Sequence, residues 1–259
     1  MWAGITIVAM TPHALLAIDT STEFCSVAVF HLPYAAASPR IVSRHEHTGP
    51  ASSVRVLPAV REVLQEAALA LADCAAVAFG SGPGSFTGLR TAAGIAQGLA
   101  FGLGVPVVPV GTLLACAERA RASDPHARRV LAALDARMGE VYWADFAWSG
   151  AQGDWRVCHP AALAAPAGVP VPDEPFTLAG NASAVFGDAL RARAWARVVD
   201  ADAMPDAEAV ARIGWRALMA GRALPAHLAA PEYVRDKVAQ TTGERAAARA
   251  SKNPVKEAG

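Results

Sequence analysis

Leu15 to Phe30 reads LLAIDTSTEFCSVAVF, and Val130 to Phe146 reads VLAALDARMGEVYWADF. In each, an apolar run ends in an aspartate, a polar turn follows, and an apolar run resumes. Val27 and Val29, two positions apart, share one face of a strand, so each stretch predicts a β-hairpin with Asp19 or Asp135 at its mouth. The two aspartates are 116 positions apart, 135 minus 19. The second turn is expected to be two residues shorter than the first. A unit that returns after intervening helices suggests two related lobes.

Between the hairpins, strand and helix signals alternate, which predicts an α/β protein. Ile41 to His45 reads as a third strand. Leu57, Val60, Leu64, Ala67, Ala68 and Leu71 fall on one face of a helix, with Ser52 or Ser53 as its cap. Ala75 to Gly80 is a buried strand, and the loop GSGPGSFTGLR (80–90) leads into a helix from about Gly88 to Gly102. Val105 to Val110 is a strand and Thr112 to Arg121 a helix. In the second half, 147–175 is rich in Pro, Gly and Ala and reads as an irregular excursion. Thr177 to Gly180 reads as a strand, with helices near 183–195 and 206–221. The expected division is an N-terminal extension over 1–13, a first lobe over 14–112, a second lobe over 113–239 and a disordered tail over 240–259. A late helix of the second lobe returns to the first.

Composition narrows the function. The chain has 259 residues, and 53% are hydrophobic, but 61 of them are Ala. Twenty-three acidic residues balance 23 basic ones, which disfavours a stand-alone nucleic-acid-binding protein. Cys25, Cys74, Cys116 and Cys158 form no CxxC pair, so they read as free thiols in a cytoplasmic protein rather than a zinc site or disulfide framework. The first basic residue is Arg40, which argues against a secretory leader. A second start at Met10 would make 1–9 dispensable. The apolar run 91–110 holds four glycines and two prolines, so no membrane span is expected.

Three features invite a functional reading. Gly82, Gly84, Ser85, Thr87 and Arg90 lie in a glycine-rich strand-to-helix loop that suits either a phosphate cradle or a tight turn that binds nothing. It matches neither the Walker nor the dinucleotide fingerprint. Asp19 and Thr20 suit either a hydrated magnesium ion with phosphate or a capped hairpin turn. Gly94, Gly98 and Gly102 recur every four residues and form a bare stripe for close helix approach, either inside the fold or against another subunit. His45 and His47, at i and i+2, suit a metal pair only if the segment is a strand; no second ligand cluster is visible, and they read as a solvent-exposed loop.

These segments, in this order, resemble the TsaB (YeaZ) family. The resemblance rests on LLAIDTSTEFCSVAVF, AFGSGPGSFTGLRTAAGIAQGLA (78–100), VLAALDARMGEVYWADF and PEYVR (231–235), and spans roughly 14–236. It implies a two-lobed actin-like ATPase fold. It also implies a non-catalytic scaffold that activates a paralogous TsaD-like catalytic subunit, with a TsaE-like ATPase. Together these place threonylcarbamoyl on the adenosine following the anticodon of tRNAs that read codons starting with A. The subunit contact in the resemblance uses two helices, which here maps to Leu57, Val60, Leu64, Gly94, Gly98 and Gly102, and self-association through the same face. No tightly bound cofactor is expected, only ATP or ADP with magnesium at the interface of the complex, and tRNA reached through that complex. Against the resemblance, the N-terminus, the stretch from His47 to Leu57 and the basic tail are longer. The chain holds no HxxxH pair, the metal motif of TsaD-like proteins, so metallopeptidase activity is not expected. A small-molecule kinase or ATPase on the same fold, with Asp19 and the 80–90 loop on phosphate, is the alternative.

Overall fold

The computed structural model describes residues 13–32 and 38–235. The expectations for the extension, His13 excepted, and for the 240–259 tail lie outside the described residues. Two five-stranded mixed sheets form the frame. The first holds β1 (Ala14–Asp19), β2 (Phe24–His31), β3 (Arg40–His47), β4 (Cys74–Gly82) and β5 (Val107–Gly111), in the order β3-β2-β1-β4-β5. The second holds β6 (Arg129–Asp135), β7 (Val141–Ser149), β8 (Asp154–Ala164), β9 (Thr177–Ala179) and β10 (Val198–Asp200), in the order β10-β9-β6-β7-β8. In each, the aspartate-ending strand is central. It pairs antiparallel with its hairpin partner on one side and parallel with a later strand on the other. The repeat read from the two hairpins is therefore a repeat of whole sheets. The turn lengths differ from expectation: residues 20–23 join β1 to β2 and 136–140 join β6 to β7, so the second turn is one residue longer, not two shorter.

β1 is buried along its whole length because both sheet faces are covered. On one face lie α1 (Ser52–Ala67) and α2 (Phe86–Leu103). On the other lies α5 (Ala207–Met219), which follows the second sheet in sequence yet packs on the first through Val210 and Ile213. α3 (Thr112–Ser123) lies between the lobes, with Leu113 and Cys116 against the second sheet. α4 (Ala182–Phe186) covers that sheet's other face.

Three elements depart from the sequence reading. The buried face of α1 is Val56, Ala59, Val60, Val63, Leu64 and Ala67, a turn of the wheel that leaves Leu57 47% exposed. Ala68 takes a left-handed conformation and ends the helix before Leu71, and Ser52 bonds the Gly49 carbonyl instead of capping. The expected excursion over 147–175 contains β8, an eleven-residue edge strand. Among the described residues its outer edge pairs with no strand, so it tolerates Pro160, and its faces are exposed enough to erase the alternation that reveals a strand. The expected helix over 183–195 is only the five residues of α4 followed by two short 3₁₀ turns, since Gly187 takes a positive φ and breaks it.

A charged cluster ties α5 to the second lobe. Arg216 donates to both Glu118 carboxylate oxygens at 2.9 and 2.7 Å and to Asp154 at 3.2 Å, and the Trp155 indole donates to Glu118 at 2.7 Å. Pairing and hydrogen bonding offset the desolvation of a glutamate that is almost fully buried.

Gly214 on α5 lets the helix lie on the sheet, because a Cβ there would sit 2.7 Å from the Ala78 Cβ. Gly98 on α2 has nothing within 4 Å of such an atom. The same substitution should therefore have opposite signs. Gly98→Ala should gain about 1 kcal/mol from helix propensity, and Gly214→Ala should lose about 1–3 kcal/mol from overpacking. Urea denaturation of both variants checks this.

Candidate functional site

Gly82, Gly84 and Gly88 of the 80–90 loop are required by the chain's own backbone. A Cβ at Gly88 would lie 1.8 Å from the Thr20 carbonyl oxygen, and one at Gly84 2.5 Å from the Ser21 carbonyl oxygen. The β1–β2 turn is thus pressed into the loop. Ser85 N donates to the Ser21 carbonyl at 2.7 Å, and the Thr20 hydroxyl donates to the Gly88 carbonyl at 2.7 Å. Ser85 caps α2 by accepting from Gly88 N at 3.4 Å, so the helix starts at Phe86, two residues earlier than the sequence suggests.

Asp19 lies beneath this junction and is 1% exposed. Its Oδ1 accepts from the Ser21 amide at 3.1 Å and the Ser21 hydroxyl at 2.9 Å, while its Oδ2 has no partner. A Cβ at Gly80 would fall 1.9 Å from that Oδ2. The carboxyl is raised to about 6, first by burial and least by the nearby Asp206, against the two Ser21 hydrogen bonds that lower it. Asp206 caps α5 through Ala209 N, and its carboxyl is also raised, first by burial.

Above the junction a cleft of about 450 Å³ opens between the lobes. Thr20, Gly84, Ser85 and Thr87 line it, as the sequence reading expects of a site there. Three residues assigned to the same site do not line it. Asp19 is sealed below. Gly82 is covered by the Glu232 carbonyl, which would lie 2.4 Å from a Cβ. Arg90 turns outward, stacks over Phe86 at 3.8 Å and donates to the Tyr233 hydroxyl at 2.9 Å. The opposite wall is supplied by Asp135, Arg137, Tyr142 and Asn181, which were not assigned to the site. The repeat carries the missing signal. Asp135 Oδ1 accepts from Arg137 N at 2.8 Å, as Asp19 accepts from Ser21, and Asn181 accepts from the Asp135 amide at 2.9 Å.

This donor set does not fit a magnesium–polyphosphate group held by this chain alone. Asp19, the carboxylate expected to face the ion, is buried against Gly80. Glu23 and Asp135 are the carboxylates that line the cleft, and Arg137 is the one cationic side chain among the lining residues available to phosphate. His45 and His47 flank Phe24, the first stacked at 4.4 Å and the second edge-on at 5.3 Å. Among the described residues no group of three or more His, Cys, Asp or Glu is placed to hold a metal ion, and no helix is long and apolar enough to cross a membrane. All four cysteines are free.

The helical face assigned to a subunit contact divides in two. Val60 and Leu64 are 4% and 6% exposed and fill the chain's own core, so, against expectation, they present no surface to a partner. Gly94, Gly98 and Gly102 face outward and are exposed, and among the described residues nothing lies within 4 Å of a Cβ placed there, so the described fold does not spend the stripe on internal packing. Phe101 beside it is 78% exposed.

Comparison with known proteins fits this architecture. The family model described as TsaD: tRNA N6-adenosine threonylcarbamoyltransferase matches residues 26–243. The chain belongs to the TsaD family. Within it the chain sides with the TsaB/YeaZ proteins. YeaZ from Pseudomonas aeruginosa is 38% identical, covers 85% of this chain and 99% of its own, and superposes with a TM-score of 0.76. A second Pseudomonas aeruginosa structure, described as an uncharacterized protein with similarity to peptidase YEAZ, gives 38%, 86%, 100% and 0.78. The tRNA threonylcarbamoyladenosine biosynthesis protein TsaB of Escherichia coli is 48% identical over 132 residues, 51% of this chain and 54% of that protein. The Haemophilus influenzae TsaB is 48% identical over 130 residues, 50% and 52%. The matched part of the chain spans about half the length of these curated relatives.

Because the native Asp19 carboxyl holds its proton more tightly than the unfolded one, folding takes up a proton between about pH 4 and 6. Stability should fall as pH rises through that window and level off above it, with Asp206 contributing in the same direction. A rise of about two pKa units corresponds to about 3 kcal/mol. Asp19→Asn, which keeps the acceptor for Ser21, should flatten most of this fall. Denaturation at pH 4.5 and 7.5 measures it, and an unchanged slope would refute the role given to Asp19.

Proposed function

We propose that the chain acts as a non-catalytic subunit in tRNA threonylcarbamoyladenosine biosynthesis. In this reading it scaffolds and activates a TsaD-like catalytic subunit, alongside a TsaE-like ATPase, in the cytoplasm. The target is the adenosine following the anticodon of tRNAs reading codons that start with A, reached through the complex. The observation that carries the reading is the solvent-facing stripe of Gly94, Gly98 and Gly102. Three glycines weaken an exposed helix by about 1 kcal/mol each relative to alanine, and the described fold puts nothing in the space they leave. A partner helix seated there accounts for them, with Phe101 and Leu57 as exposed apolar side chains on the two helices concerned. The same face would serve a homodimer when no partner is present. The sealed Asp19 and the single lining cation support the absence of nucleotide chemistry in this chain alone. A nucleotide with magnesium in the cleft would need the partner's groups.

The cleft is what favours the second reading, a small-molecule kinase or ATPase. Reconstitution separates the two. The purified chain is mixed with its organism's TsaD-like and TsaE-like proteins, the adenylate-forming enzyme, ATP, bicarbonate, labelled threonine and tRNA. Label in tRNA is expected to depend on the chain, whereas equal label without it overturns the subunit reading and turns attention to ATP turnover. Gly98→Leu should melt no lower than the parent, yet lose at least tenfold in capture of the TsaD-like partner. Capture at the parental level would sink the stripe model.

A further inference from the structure

We propose that residues 224–235 form a strap that couples the outer face of α2 to the 136–140 turn of the second lobe, so that loosening either anchor loosens the other. The inference concerns the isolated chain and does not rest on the partner reading above.

The strap starts where Leu224 and Val107 exchange two backbone hydrogen bonds of 2.8 Å beside the first sheet. It then follows α2 back toward its N-terminus. Gln97 donates to the Ala226 and His227 carbonyls at 3.4 Å, and Glu232 N donates to the Ser81 carbonyl at 2.7 Å. Gly82 leaves the space in which the Glu232 carbonyl sits. Tyr233 is held against α2 by the Phe86 ring, centroids 5.4 Å apart, and by the Arg90 guanidinium.

Two residues later the strap reaches the second lobe. Arg235 donates to the Ala136 carbonyl at 3.1 Å and to Glu140 Oε2 at 2.6 Å, with its side chain 15% exposed. The turn it grips is locally unfavourable. Arg137, Met138 and Gly139 all have positive φ, at 62°, 56° and 78°, and the first two carry a Cβ. Left-handed backbone costs such residues about 1–2 kcal/mol each. The turn is closed by Ala136 N to the Glu140 carbonyl and Glu140 N to the Arg137 carbonyl, and braced by Arg137 N to Asp135 Oδ1. Arg235 supplies bonds from outside to both ends of it. The anchors Tyr233 and Arg235 are at most about 7 Å apart along the chain, so there is no slack to absorb a displacement. Ala136 and Arg137 also line the cleft, so the strap sets the position of one cleft wall from the surface of α2.

The test is amide hydrogen exchange on the full chain. Tyr233→Ala removes only the anchor on α2, yet it should raise exchange at the Ala136 and Glu140 amides at least tenfold. Arg235→Ala should do the same there and should raise exchange at the Glu232 amide. The Leu16 and Leu131 amides in the sheet centres should keep their protection. Tyr233→Phe, which keeps the ring and loses the Arg90 bond, should give a smaller rise of about threefold and carries the test if Tyr233→Ala does not fold. Exchange confined to Phe86–Arg90 in the Tyr233 variants, with the turn at parental protection, overturns the coupling.

Discussion

The close seat of the β1–β2 turn in the 80–90 loop is the constraint on which the rest of the structure depends. Carbonyl oxygens of Thr20 and Ser21 occupy space that any side chain at Gly88 or Gly84 would take. That seat fixes the start of α2, and with it the direction in which the whole helix presents its outer face. It also closes over Asp19. A glycine-rich strand-to-helix loop suits an approaching phosphate because bare backbone can come close. Here the backbone that comes close is the chain's own hairpin, and the space is filled by folding rather than by a ligand.

Much of the architecture is legible because strands that end in aspartate announce themselves twice. The apolar runs at 15–19 and 130–135 lie at the centres of their sheets, where both faces are buried and apolar content is densest. Legibility fades toward the edges. β8 is an outer strand whose side chains are mostly half or fully exposed, and its polar and small residues resemble a loop. α4 looks longer in sequence than it is, because the Ala and Arg that favour helix continue past Gly187 into 3₁₀ turns. On α1 Val60, Leu64 and Ala67 lie on the buried face as expected, but at the first turn Leu57 is the larger side chain and Val56 faces the sheet.

The site was half legible for a related reason. Residues next to the glycines were found because glycine spacing is a local signal. The far wall comes from the second lobe, and only the repeat connects Asp135 to Asp19. Arg90 leaves the loop it is expected to serve because Tyr233, 143 positions away and invisible to local spacing, draws the guanidinium outward. Val60 and Leu64 were assigned outward for want of a way to tell a core stripe from a docking stripe on the same helix. The glycines differ from them in kind, because an exposed glycine leaves room and contributes no burial of its own.

The alanines that line the inner faces have a thermal consequence. α2 rests on the sheet through Ala92, Ala93, Ala96 and Ala100, and α5 through Ala207, Ala209, Ala211 and Ala217 among larger side chains. Each of these buries little hydrocarbon while still ordering a full residue of backbone. Newly hydrated apolar surface is the source of the heat-capacity increment of unfolding. A molecule packed in this way has a small increment for its length, so its stability curve is a broad, shallow dome that bends gently toward both heat and cold.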